Sequence, residues 1–271
     1  MHHRGGSVNR QDLVHTWDRH VERFLEGGHP ETEDADLSRW LSAYSGTGLG
    51  ALQLDAMPEP FTGGLGVTSI EPTIVRLGLN PGGADMVMQG RNGVFAQEIR
   101  QLGSYSAWAA TAPYLRSAWT DRHGRNRYLH ATVTFAGRWH GHAPSADDVL
   151  IMELFPWHSP RLTGSLRPDP GLIREWVWEP LSVLATKVIF AFGKPWAQHA
   201  ERLGLPVRRI EAPFRSPGRR LAVADLPSDQ TLVVQWCPGQ ANPSAPHDVE
   251  VLRDALNELL GPEARIPART V

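Results

Sequence analysis

Cysteine is almost missing from this sequence. The 271 residues contain one, Cys237, so no internal disulfide forms and no four-cysteine zinc or iron–sulfur site can be built. No metal, iron–sulfur cluster or other cofactor is expected, and a reducing compartment fits. Long apolar runs are missing too: none approaches the roughly 20 residues of a membrane span. The polar N-terminus, with its His and Arg, does not read as a signal peptide. A cytoplasmic protein with no membrane partner is therefore the expectation. There is no excess of charge, since the formal net charge is -2, and any nucleic-acid contact has to come from a local basic patch. The Gly-x-Ser-x-Gly elbow of α/β hydrolases, internal repeats and low-complexity linkers are all absent.

What remains is the composition of an ordinary globular chain, 41% hydrophobic and 21% charged, long enough to bury a sizeable core. The ten tryptophans and twelve histidines are more than usual, and read first as packing and surface chemistry. Leu13, Val14, Trp17, Val21, Phe24 and Leu25 recur at helical spacing between Arg10 and Glu26, and Gly27-Gly28 stops that helix. A short helix over Asp36–Ala43 follows. A loop rich in Gly and Pro then includes Met57-Pro58-Glu59-Pro60-Phe61, read as extended across the entrance of the first strand.

Four apolar runs read as buried strands: 73–79, 149–155, 187–192 and 231–236. Each ends in a polar or Pro/Gly turn. Helical segments are expected at 96–102, 172–185, 196–203 and 247–260, with 86–95 as a loop. Strands alternating with helices predict an α/β fold, a three-layer α/β/α sandwich around a central four-stranded, mostly parallel sheet. Residues 1–54 form an N-terminal helical extension, 55–262 the α/β/α domain and 263–271 a loose tail.

The first strand runs into Asn80-Pro81-Gly82-Gly83 at its carboxyl end, where open α/β sheets bind ligands. A tight turn alone explains as much. The segment Leu77-Gly78-Leu79-Asn80-Pro81-Gly82, however, resembles the first motif of the uracil-DNA glycosylase superfamily, in its Gly-x-Asn-Pro-Gly form. Gly93-Val94-Phe95 resembles the segment that brings the ring on which an extruded base stacks. Glu153-Leu154-Phe155-Pro156 stands where that superfamily has a base-reading Asn. Residues 188–193 resemble its third strand and glycine turn, and 235–244 stand where its last strand meets a His-Pro-Ser loop. The resemblance covers about residues 55–260.

The resemblance implies a DNA partner and hydrolysis of an N-glycosidic bond, with the target base flipped out, sandwiched and read at its edge. Asn80 would position the water, Phe95 would stack on the base, and Gly82, Glu153 and Phe155 would line the base site. Two departures bear on specificity and chemistry. An ionised Glu153 only accepts hydrogen bonds, which suits the exocyclic amine of cytosine better than uracil O4; if protonated it also donates to cytosine N3. Its alternative is a structural pair with a nearby Arg or His. The His-Pro-Ser histidine is missing, and His158 or Gln240 would have to stabilise the leaving base, unless His158 is simply a turn residue. Cys237 reads as a buried strand-end thiol.

Arginines cluster at 208–220, at 116–127 and at 161–167. A solvated surface is the default for such runs. Arg161, Arg215, Gln240 and Asn242 are the candidates for DNA contact, with Trp157 and Phe214 near them as potential wedges. His140-Gly141-His142, with His123, His130 and Asp147-Asp148, is the one dense metal candidate; a His-x-His pair on a strand can bind zinc, but without a clear third ligand the segment reads as a polar loop. The sequence leads to a monofunctional DNA base glycosylase for a modified or cytosine-type base. A catalytically inactive protein that keeps the fold and binds DNA or a nucleobase is the alternative.

Overall fold

In the computed structural model, residues 10–29, 34–66, 71–143, 145–237 and 243–260 are described. Seven strands form one sheet of an α/β fold: β1 (Phe61–Thr62), β2 (Ile74–Gly78), β3 (Val149–Glu153), β4 (Val188–Phe192), β5 (Arg208–Ile210), β6 (Arg220–Asp225) and β7 (Thr231–Trp236). Their order is β1-β3-β2-β4-β7-β6-β5. The four apolar runs are thus strands, but the expected four-stranded sheet is too small. β2 and β4 are parallel with Val75 opposite Ile189, and β4 and β7 are parallel with Phe190 opposite Val233. β6 is antiparallel to β7, and β5 to β6. β5 and β6 escape a sequence reading because their arginines resemble a basic loop. The buried part of β6 is only Leu221–Ala224, four residues of which two are alanine.

The chain divides into two compact units, each assembled from three segments: 1–71, 80–113 and 152–185 in the first, 72–79, 114–151 and 186–271 in the second. In the first unit, α1 (Arg10–Glu26) buries the six residues that its 3.6-residue periodicity predicts. It closes at Gly27, whose φ of +111 suits glycine. In α2 (Ala35–Leu41), the Asp34 side chain accepts from the backbone N–H groups of Asp36 and Leu37 and so caps the first turn. The two N-terminal helices are core of this unit, not an appendage. Trp17 and Trp40 sit 6.2 Å apart by ring centroid, and Trp176 lies 5.4 and 5.8 Å from them. Trp157 stands edge-on to Trp40 at 5.9 Å, and Trp40 Nε1–H donates to Leu154 O at 3.0 Å.

Three short helices complete the middle segment: α3 (Met86–Gln89), α4 (Val94–Leu102) and α5 (Tyr105–Ala109). The expected loop over 86–95 therefore contains one helical turn and the start of another. In the last segment, α8 (Pro170–Ile173) and α9 (Glu179–Ser182) flank a π-turn at Arg174–Trp178. There the Glu179 N–H reaches five residues back to Arg174 O, and the next residue, Pro180, has no N–H to donate. The helix expected over 172–185 thus runs without interruption over 170–182, with a π-turn in its middle.

In the second unit, α6 (Ser117–His123) precedes α7 (Arg127–His140), with α10 (Lys194–Arg202) and α11 (Val249–Leu260) further on. α7 packs Phe135 and Trp139 on Phe190 of β4, at 4.9 and 4.8 Å between ring centroids. Every residue of β2 is buried, as expected of a strand covered on both faces. This includes Arg76, whose guanidinium lies 3.4 Å above the Tyr128 ring and donates to the Thr132 hydroxyl. No described helix is long and apolar enough to cross a membrane. His140 closes α7, while His142 follows Gly141 in the turn, so the segment read as a polar loop begins at a helix end. Among the described residues no group of three or more His, Cys, Asp or Glu is placed to hold a metal ion.

Candidate active site

Two turns of the first unit are locked together. One is the Asn-Pro-Gly-Gly segment; the other is Pro156–Pro160, which follows β3. Asn80 Nδ2 donates to Ser159 Oγ at 3.0 Å and to Ser159 O at 3.3 Å. The Gly82 carbonyl accepts from the Ser159 N–H at 3.1 Å and from His158 Nδ1 at 3.0 Å. Gly82 has a φ of +88, and a Cβ there would meet nothing within 4 Å, so glycine is required by the backbone and not by crowding. Gly83 is different: a Cβ would stand 3.2 Å from Pro160 Cα, so its bareness lets the two turns approach.

Behind this lock sits a chain of buried polar groups. His158 is fully buried, and its Nε2 stands 3.3 Å from Glu59 Oε1, an ion-pair distance without the alignment of a hydrogen bond. Gln89 Nε2 donates to the same Oε1 at 2.7 Å, while Gln89 Oε1 accepts from the Asp85 N–H at 2.8 Å. A carbonyl only accepts, so His158 Nδ1 carries hydrogen. Nε2 then faces a carboxylate oxygen. Gln53 ties the same region from the other side, its Oε1 accepting from the Ala84 N–H at 2.8 Å and its own N–H donating to His158 O at 3.0 Å.

Glu153 ends β3 and is buried; its N–H donates to Pro60 O at 3.0 Å, one residue from Glu59. Both carboxylates act on the Tyr105 hydroxyl, which donates to Phe61 O at 2.5 Å. Burial pushes that phenol well above its usual value. The charge on Glu59 adds to the rise, the bond to Phe61 O opposes it, and Asp18 and Glu153 add smaller contributions. Tyr105 is therefore a fixed hydroxyl donor over the whole ordinary pH range.

The other expected site residues fare differently. Phe95 is the second residue of α4, fully buried, with its ring 4.9 Å from Trp108, which lies 5.4 Å from Tyr105. Phe155 is fully buried between Tyr44 at 5.2 Å and Trp157 at 4.9 Å. Both rings are committed to the core, so neither offers a free face to a base. Trp157, expected as a wedge, is likewise fully buried. His158, expected at the leaving group, has both ring nitrogens directed at protein atoms, and positions Gly82 and Glu59 instead.

Arg161 is exposed after the second turn, its N–H donating to Leu49 O at 3.0 Å. Arg215 is exposed in the second unit, where its N–H donates to Asp248 Oδ1 at 2.7 Å. Gln240 and Asn242 lie outside the described residues. No family model, curated protein or solved structure matches the chain.

Sequence reasoning missed Glu59, Gln89, Ser159 and Tyr105. One signal for Glu59 was available: an acid between two prolines in an otherwise apolar stretch is held extended on both sides. The partners of Gln89 and Tyr105 come from far along the chain, and no local pattern announces them.

Asn80 has hydrogen-bonding capacity left. Its Nδ2 is spent on Ser159, the residue is half-buried, and no described group donates to its Oδ1. A carboxamide held in this way by its nitrogen presents an oriented acceptor, which is the requirement for aligning a water molecule.

Proposed function

We propose that the chain is a metal-independent DNA base glycosylase that hydrolyses the N-glycosidic bond of a flipped base and leaves an abasic site. The observation that carries the reading is the fixed carboxamide of Asn80, clamped through Nδ2 with Oδ1 left to accept from water. Breaking the glycosidic bond puts positive charge on the sugar, so a water aligned by Asn80 Oδ1 is the nucleophile the reaction needs. The buried carboxylates of Glu59 and Glu153 supply negative potential, which favours the cationic sugar. Glu153 accepting from an exocyclic amine suits a cytosine-type or modified base rather than plain uracil. A three-layer α/β/α arrangement, a cytoplasmic location and a role in repair or in defence against phage DNA belong to the same proposal.

Oligonucleotides carrying uracil, hydroxymethylcytosine or glycosylated cytosine, treated with the protein and then with alkali, test it directly. Strand cleavage at a cytosine derivative is expected, and full activity on uracil with none on cytosine derivatives contradicts the specificity. Asn80→Ala is expected to lower turnover by about 100-fold or more while DNA affinity changes only a few-fold.

A second reading rests on His158. With Nδ1 on Gly82 O and Nε2 beside Glu59, no imidazole is offered to a departing base, which favours a protein that binds a nucleobase or DNA without cleaving it. Retained oligonucleotide binding with no abasic sites on any substrate decides for that reading.

A further inference from the structure

The second unit holds a concave feature of unusual charge, and its residues play no part in the site above. His123, Arg125, Arg127, His130 and Ala131 line a cavity of about 400 Å³. Four of the five side chains carry, or can carry, positive charge, and none is acidic. Arg125 and Arg127 make no hydrogen bond or ion pair with any described residue. Elsewhere in this protein exposed arginines do find carboxylates: Arg39 with Asp36 at 2.9 Å and Arg208 with Asp225 at 3.4 Å.

The backbone adds to the charge. Arg127 opens the 14-residue helix α7, whose first turn has no acidic residue and whose dipole points its positive end at this cavity wall. The Asn126 side chain caps the Leu129 N–H at 2.9 Å. His130 registers the surplus: burial lowers its basicity, and the nearby charge of Arg125 lowers it further. A concave surface that gathers uncompensated guanidinium groups around a helix N-terminus is matched chemically by an anion with several acceptor oxygens.

We propose that the cleft between α6 and α7 is a phosphate-binding site, with Arg125 and Arg127 as its guanidinium ligands. Arginine forks meet phosphate oxygens two at a time, and His123 stacks on Trp119 at 4.1 Å, giving the rim a flat aromatic surface beside the charge. The phosphate belongs either to a nucleic-acid strand or to a free phosphate monoester. The inference stands on the second unit alone and holds whether or not the chain excises bases.

The test is fluorescence anisotropy of the full-length protein with a labelled single-stranded oligonucleotide over a range of salt. Calorimetry with inorganic phosphate and with a 5′-mononucleotide runs alongside. Arg125→Gln/Arg127→Gln is compared with the wild type and with Arg202→Gln, an exposed arginine of α10. If the source is a strand, the double variant loses about tenfold or more in affinity, and its slope of log affinity on log salt falls by about 1.4, near 0.7 for each lost phosphate contact. Arg202→Gln then stays within about twofold. If the source is a free monoester, the mononucleotide or phosphate binds the wild type and not the double variant, while the oligonucleotide does not compete. Because the two arginines have no partner among the described residues, unchanged thermal unfolding of the double variant is expected. Equal binding of every probe by wild type and double variant, a loss no larger than that of Arg202→Gln, or no binding by any probe overturns the proposal.

Discussion

Asp248 is the side chain on which the loop before β6 depends. It is fully buried, and it accepts from the backbone N–H groups of Arg215 at 2.7 Å and Ser216 at 3.2 Å, with Arg219 Nε 3.4 Å away. Burial on its own would raise its pKa. The Ser216 hydroxyl, the two backbone donors and His247 overcome that, and the group ends below the ordinary carboxylate value. A depressed folded-state value means stability that is present above the unfolded-state pKa and is lost as pH falls through the folded-state one. Asp248→Asn is therefore expected to cost about 2 kcal/mol at neutral pH, the scale of hydrogen bonds to a charged group. The gap to the wild type should narrow as pH falls below the unfolded-state aspartate value of about 4, and close once pH has passed the lowered folded-state one. Urea unfolding at several pH values measures it, and a gap independent of pH would assign the loop to packing instead.

At the scale of the element, the tryptophans repay their number. Trp40 fills the centre of the first unit's aromatic cluster, and its indole N–H holds the Leu154 carbonyl next to Glu153. Trp40→Phe keeps most of the apolar area but strands that carbonyl, an expected loss of about 1–2 kcal/mol. Trp40→Ala opens a cavity as well and should cost about 3–5 kcal/mol. A Trp40→Phe chain as stable as the wild type in urea unfolding would mean that the hydrogen bond contributes nothing.

How much of this was legible follows from where each element finds its partners. α1 carries its own signal, since one face repeats every three to four residues. The cores of β2, β3, β4 and β7 announce themselves as short β-branched and aromatic runs ending in turns. β5 and β6 do not, because an edge ladder rich in arginine has little apolar pattern to display. The same holds in the site. The turns that carry Asn80, Gly82 and His158 are punctuated by Pro and Gly, whereas Glu59, Gln89 and Tyr105 acquire their roles from tertiary packing. Phe95 packs on Trp108, and Phe155 on Tyr44 and Trp157; a sequence cannot tell a ring that faces a pocket from one that faces another core side chain.

For the whole molecule, the two units alternate along the chain in six segments, which makes five crossings. A sequence boundary near residue 54 therefore does not mark a place to cut. Deleting residues 1–46 removes Trp17, Trp40 and Tyr44, which cover Trp157, Trp176 and Phe155. The truncated chain is expected to aggregate or to lose cooperative unfolding of the first unit. A soluble product that melts at the wild-type temperature would show the helices to be dispensable.

The same threading has a consequence for biosynthesis. Trp40 meets Leu154 across a separation of 114 residues, so at roughly 5–20 residues per second a ribosome takes on the order of ten seconds to supply the second partner. Throughout that interval the indoles of the two leading helices have emerged without the chain that will enclose them. The nascent protein is thus at its stickiest early, and a chaperone that engages exposed aromatic side chains has its best opportunity before residue 150 has been added.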